Sequence, residues 1–235
     1  MTPDDPWPDQ PVIPEYVPRD LEELGWDAPR RPTRRDIDDQ NTLLLRRQRL
    51  FRWAAQMTAW TFRQAPEVQK VVAFGSVAGP LKKEVPRFRD FRRFGIEVVH
   101  ECQDLDLAVW VTDLDRLQQV KKAMNGGLSL MQETPYGGVA SHQVDVHIFD
   151  AATDLYRGRL CHFKECPKPH KRECDVPRCG ARLFLRQFAG YRFNQARFES
   201  EPKVLLFDRA TGFVVPLPQF LPGYRLVEKD ERTGQ

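Results

Sequence analysis

The sequence predicts an α/β (α+β) fold: a small mixed sheet flanked by helices, followed by a small cysteine-rich module. Three observations carry this. Apolar, β-branched runs near 68–74, 96–111 and 142–150 read as strands. Segments of helical period precede the first run and separate the last two. From 158 to 180 the texture changes to cysteines among prolines and cations. The chain therefore divides into a Pro-rich N-terminal arm (1–35), a core (36–155) and a C-terminal part (156–235) holding the cysteine-rich module and a β-hairpin.

At 235 residues the chain suits one core with a small appended module. Hydrophobic residues make up 41% and charged residues 29%, and no run approaches the roughly 18 apolar residues of a membrane span. No membrane association is expected. The opening MTPDDPWPDQPVIPEYVP lacks the basic start and apolar stretch of a secretory signal, so a cytoplasmic protein is expected. Net charge is +3, and 26 of the 36 cations are Arg, the side chain whose planar fork grips phosphate.

Asp36 is placed to cap a helix running through DQNTLLLRRQRLFRWAAQMTAWTFRQ. Leu44, Phe51, Ala55, Thr58 and Phe62 recur at helical spacing, while Arg46, Arg47, Arg49 and Arg63 fall mostly elsewhere. The Ala65-Pro66 step ends it. VQKVVAF (68–74) is a buried strand that runs into a Gly75-Ser76 turn. GPLKKEVPRFRDFRRFG, with two prolines and many cations, reads as an exposed basic insertion. IEVVHECQDLDLAVWV is either a hairpin whose arms meet near Glu101 to Gln103 or one long bent strand. Asp113 opens a helix with the stripe Leu114, Leu117, Val120 and Met124, which the Gly126-Gly127 pair interrupts or ends. HQVDVHIFD (142–150) is an alternating strand, so strand, helix and strand suggest an α/β unit. Further on, ARLFLRQFAGYRF predicts a short helix, and VLLFDRATGFVVPL predicts two strands around an Asp208–Gly212 turn.

The unusual feature is acid within strands. Side chains alternate, so Asp104, Asp106, Ala108 and Trp110 share one face. Likewise Gln143, Asp145, His147 and Phe149 share a face of the later strand. Aspartate is disfavoured in strands, and Trp110 and Phe149 argue that these faces are not simply solvated. If the two strands are neighbours, three carboxylates crowd together, repel and demand a cation. Oxygen-rich acidic sites suit Mg²⁺ or Mn²⁺. A glycine just after a buried strand lets the backbone turn tightly, and the amides that follow bind phosphate with a serine hydroxyl assisting.

Phe74-Gly75-Ser76, then Asp104 and Asp106, then Asp145 together resemble the signature of the DNA polymerase beta-like nucleotidyltransferase superfamily. The resemblance spans roughly residues 40 to 150. The gap of 27 residues between Ser76 and Asp104 is longer than the superfamily's usual one, and the basic Pro80–Gly95 insertion accounts for the excess. The resemblance implies a nucleotidyltransferase fold and transfer of a nucleoside monophosphate from a nucleoside triphosphate, ATP first, to a hydroxyl acceptor. It implies that Asp104 and Asp106 hold two Mg²⁺ ions and that Asp145 holds the hydroxyl-side ion and helps take the proton. Gly75 and Ser76 then hold the β- and γ-phosphates. The acceptor, whether small molecule, protein or RNA, is not specified. A catalytically silent protein of the same fold and a zinc-dependent nucleic-acid-binding protein are the alternatives.

Cys161, Cys166, Cys174 and Cys179 are separated by four, seven and four residues, with His162 and His170 between them. In a cytoplasmic protein such a cluster points to metal rather than disulfides. Four thiolates make a closed structural Zn²⁺ site, with His162 or His170 replacing one of them as the alternative. Cys102 reads as a small core residue.

Overall fold

The computed structural model describes residues 30–132 and 137–215. Most of the N-terminal arm expected over 1–35 lies outside the described residues, as does the chain beyond Val215. The first element is helix α1 (Arg34–Phe62). Its cap is Thr33 and not Asp36. The Asp36 carboxylate accepts from the Thr33 amide at 2.8 Å while the Asp36 amide donates to the Thr33 hydroxyl, a reciprocal capping box that starts the helix earlier than expected. The predicted apolar stripe is the buried one: Leu44, Phe51, Ala55 and Phe62 are all within 2% of full burial.

Strand β1 (Val68–Phe74) forms over the predicted residues and ends in a single 3₁₀ turn, Gly75–Val77. The basic insertion is a folded flap. It contains β2 (Lys83–Glu84), a short helix α2 (Arg89–Arg93) and β3 (Val98–Val99), with β2 and β3 paired antiparallel. Strand β4 (Leu105–Val111) follows. The stretch 96–111 is thus neither a hairpin nor one bent strand. Its first arm pairs within the flap and its second within the main sheet, because β2 supplies β3 with a closer partner.

Asp113 caps the next turn, and helix α3 (Leu117–Gln132) then runs unbroken through Gly126 and Gly127. The glycines do not stop it, because tertiary contact overrides their propensity. A Cβ on Gly127 would lie 2.8 Å from Met57 O, Thr58 Cα and Thr61 Oγ1 of α1, so only glycine lets the two helices come this close. The Thr61 hydroxyl donates across the gap to Ala123 O at 2.7 Å.

Strand β5 (Val144–Asp150) returns parallel to β4, completing the expected strand-helix-strand unit. The sheet then continues past residue 155. β6 (Tyr156–Leu160) pairs antiparallel with β5, and β7 (Leu185–Arg186) pairs with β6. The helix expected within ARLFLRQFAGYRF is replaced by β7, and a helix, α4 (Gln195–Ser200), comes only after it. The apolar run there is too short for periodicity to separate strand from helix. β8 (Lys203–Asp208) and β9 (Phe213–Val214) form the expected hairpin, and β8 adds to the far side of β1.

Among the described residues the main sheet has seven strands in the order β7-β6-β5-β4-β1-β8-β9, mixed in direction. One face buries Val71, Leu105, Leu107, Val109, Val146 and Ile148 under α1 and α3. On the other face Val72, Phe74, Ala108, Trp110 and Phe149 pack beneath Phe198 of α4 and Phe193. Neither face is open to water along its length. No helix among the described residues is long and apolar enough to cross a membrane.

The helix contact yields a paired expectation. Gly127→Ala should lower the stability of the fold by about 1–3 kcal/mol through overpacking. Gly126→Ala, where an added Cβ meets nothing within 4 Å, should raise it by about 0.5–1 kcal/mol. Urea unfolding midpoints of the two variants measure both.

Candidate active site

The register of three strands builds the site. β4 and β5 run parallel with Asp106 opposite Asp145, and antiparallel β1 sets Phe74 opposite Asp106. Gly75 therefore sits at the same sheet end as both acids, and Asp104 stands two residues before Asp106 on the same face. Gly75 adopts φ +73°, and a Cβ there would lie 3.5 Å from Asp106 Oδ2. The left-handed backbone is what calls for glycine here, since a Cβ at that distance would be in ordinary van der Waals contact. All five predicted residues, Gly75, Ser76, Asp104, Asp106 and Asp145, line one open cleft of about 500 Å³.

Two residues of α1 hold the glycine turn from behind. Gln48 Nε2 donates to Ser76 O at 2.7 Å and Gly79 O at 2.8 Å, and Arg52 donates to Val77 O at 2.8 Å and Gly79 O at 3.0 Å. Sequence reasoning missed both. The available signal was Gln48, a polar residue one turn beyond Leu44 on the apolar stripe. The Ser76 hydroxyl contacts the thiol of Cys102 at 3.1 Å, and Cys102 is fully buried, as expected of a core residue.

The acids are unequally compensated. Asp145 is ion-paired with Arg159 of β6, which also lies over the rings of Phe188 and Tyr191. Asp106 faces Nε2 of buried His147 at 3.4 Å. Among the described residues Asp104 joins no ion pair, and its carboxyl is pushed above the usual carboxylate range, first by burial and then by repulsion from Asp106 and Asp145, with Arg159 pulling the other way. Arg159 was also missed. YRGRL is too short to advertise a strand, and nothing in it says that its second arginine turns toward an acid 14 residues earlier. The opposite wall comes from the C-terminal part: Tyr191, Arg192, Phe193 and Arg197 line the same cleft.

None of the cysteines lines this cleft, although the segment begins directly after β6, the neighbour of the Asp145 strand. Cys161 is buried, and burial pushes its thiol up. The amide of Phe184 donates to Cys166 Sγ at 3.0 Å and that of Lys168 to Cys174 Sγ at 3.4 Å. None of the cysteines is in a disulfide. His162 contacts Arg186 at 3.2 Å. Among the described residues, no three His, Cys, Asp or Glu side chains are gathered as they would be around a metal ion.

Comparison with family models, curated proteins and solved structures finds no match to this chain. The functional reading therefore rests on the cleft.

Asp104 gives a pH expectation with a definite sign. A carboxyl raised in the folded state holds its proton more tightly than in the unfolded chain. It costs stability above its folded value, and this cost disappears as pH falls to the ordinary 3.8. In chelator-treated protein Asp104→Asn should raise the melting temperature at pH 7, and the gain should shrink to nothing as the pH is lowered toward 4. Melting curves across that range provide the measurement.

Proposed function

We propose that this chain is a metal-dependent nucleotidyltransferase. It moves a nucleoside monophosphate from a nucleoside triphosphate, ATP being the first to test, onto a hydroxyl acceptor. The observation that carries the reading is the pairing of Asp106 with Asp145, Asp104 two residues away, beside a left-handed glycine in one cleft. The donor set fits Mg²⁺ or Mn²⁺: the groups are hard carboxylate oxygens gathered at one sheet end, and the Asp104 carboxyl is pushed up by burial first and then by the charges of Asp106 and Asp145, which a divalent cation would offset. Asp104, Asp106 and Asp145 would hold it. Such ions, when bound, supply Lewis-acid stabilisation of the charge on a transferring phosphoryl group.

The chain's own residues do the rest. Gly75 lets the triphosphate approach the backbone, and the amides after it, braced by Gln48 and Arg52, bind the β- and γ-phosphates together with Ser76. The acceptor oxygen forms its bond to the α-phosphorus as the bond to the departing pyrophosphate breaks. The hydroxyl proton passes to the Asp145 carboxylate, which gives up Arg159 to receive it. Arg159 stays held over the rings of Phe188 and Tyr191.

The same ion pair supports a second reading. With Asp145 already neutralised by Arg159, the cleft suits a catalytically silent nucleotide-binding protein. The two readings separate when labelled triphosphates and Mg²⁺ are supplied with RNA, protein and small-molecule extracts as acceptors. The enzyme should release pyrophosphate, and Asp104→Ala or Asp106→Ala should cut the rate by about a hundredfold or more. Triphosphate retained in equilibrium dialysis without pyrophosphate release from any mixture identifies the silent protein.

We also propose that Cys161, Cys166, Cys174 and Cys179 take one structural Zn²⁺. The support is a segment of tight turns between β6 and β7 with little apolar burial of its own, together with amides that already donate to two of the sulfurs. Elemental analysis should find about one zinc per chain. Cys174→Ser should remove most of it, and zinc retained in full by that variant defeats the assignment.

A further inference from the structure

The flap between β1 and β4 is built to present charge. Lys82, Lys83, Arg87, Arg89, Arg92 and Arg93 are all exposed. Among the described residues none of the six has an acidic partner. Elsewhere Arg30, Arg35, Arg157, Arg182 and Arg197 pair with Asp36, Asp39, Asp150, Asp115 and Glu201, while exposed Arg46, Arg49, Arg116 and Arg172 join no ion pair among the described residues; what marks the flap is the gathering of six such cations on one short segment. The flap has three acids of its own, yet Glu84 is taken by His100 at 2.8 Å, and Asp90 and Glu97 join none of the six. Six unpaired cations on one small structure cost self-repulsion, and a polyanion relieves it.

The flap is also held in place. Its turn is closed by Arg92 N to Phe88 O at 2.9 Å and Ile96 N to Phe91 O at 2.9 Å. Val99 N donates to Asn41 Oδ1 of α1 at 2.8 Å, and Arg47 of α1 holds Glu101 at 2.5 Å. His100, whose amide donates to Lys82 O at 2.7 Å, lines the acid cleft, so the base of the flap opens onto the site. Between the arginines stand Phe88, Phe91 and Phe94, each partly exposed. Exposed Tyr191 and Arg192 continue the pattern on the facing wall. Cations alternating with available rings suit a chain of phosphates with unstacked bases between them; a compact metabolite or a peptide needs no such repeat.

We propose that the hydroxyl acceptor of this cleft is the end of a single-stranded nucleic acid, gripped by the Arg-Phe surface of the flap. The word acceptor rests on the nucleotidyltransferase reading; the binding surface does not. Arg87, Arg89, Arg92 and Arg93 hold phosphates, and the three phenylalanines offer faces to bases. The strand passes His100 to bring its terminal hydroxyl to the acids.

The test is fluorescence anisotropy with labelled single-stranded RNA and single-stranded DNA of about 20 nucleotides, a length that exceeds typical site sizes. Three proteins are compared over a salt series: wild type, R87A/R92A/R93A and the control K164A/K171A/R172A, which removes the same charge from the cysteine segment. Wild type should bind at least one strand with steep salt dependence. The flap variant should weaken by about tenfold or more, with the log–log salt slope reduced by about 2. The control should stay within about twofold. Equal loss in both variants, or no binding of either strand, overturns the proposal. Preference for RNA or for DNA supports it and names the sugar recognised. A bound strand without pyrophosphate release in any mixture leaves the surface standing and removes the enzyme reading. Nucleotide transfer to a protein or small molecule with no strand bound does the reverse.

Discussion

The parallel pairing of β4 with β5 is the constraint on which the candidate site depends. Parallel neighbours cannot be joined by a tight turn, so the chain must cross over the sheet, and α3 is that crossover. The crossover stays in place because it packs on α1, and that packing depends on Gly127 lying against the α1 backbone. A site glycine, a site acid and a helix-contact glycine more than 50 residues from the first are thereby linked. Had β5 run antiparallel to β4, Asp145 would be carried to another register and the three carboxylates would not share one end of the sheet.

This arrangement concentrates negative charge where the sheet is otherwise apolar. Each carboxylate meets that cost differently. Asp145 has Arg159, Asp106 has the buried His147, and Asp104 is left with a carboxyl shifted by burial and by its neighbours. Arg159 is the counterweight, since its guanidinium is held by aromatic rings as well as by the acid and need not leave when the acid lets go.

Much of the scaffold was legible in the sequence. β1 follows from a β-branched run that stops at Gly75, α1 from a clean apolar stripe, and the acid-bearing faces from simple alternation. Legibility failed where partners decide. Gly126-Gly127 reads locally as a helix stop, about 1 kcal/mol of propensity per glycine, and only the facing helix reverses that reading. The stretch 96–111 has strand character throughout, but its division between two sheets is set by β2, whose two residues carry no strand signal. β7 is another two-residue strand, defined by β6 alone. Within the candidate site, Asp106 and Asp145 stood out because aspartate is out of character in strands, whereas Gly75 and Ser76 gained weight only through the resemblance. Gln48, Arg52 and Arg159 were not read, because each acts on a group distant in sequence; only Gln48, polar on an apolar stripe, carried a local signal.

The C-terminal part joins fold to site in a way its composition conceals. β8 pairs along β1, the strand that delivers Gly75, and the carbonyl of Pro202 accepts the Gly75 amide at 3.1 Å. The chain just before β8 contributes Phe193 and Phe198, which cover the acid-bearing face and stack about Phe74, Phe149 and His147. The same residues that shield that face from water form the wall opposite the acids. The depth of the cleft is therefore set by how residues 191–202 settle between β7 and β8, and a change in that segment alters the dielectric around Asp104 without touching a carboxylate. Burial is the largest cause of the upward shift at Asp104, ahead of repulsion from Asp106 and Asp145.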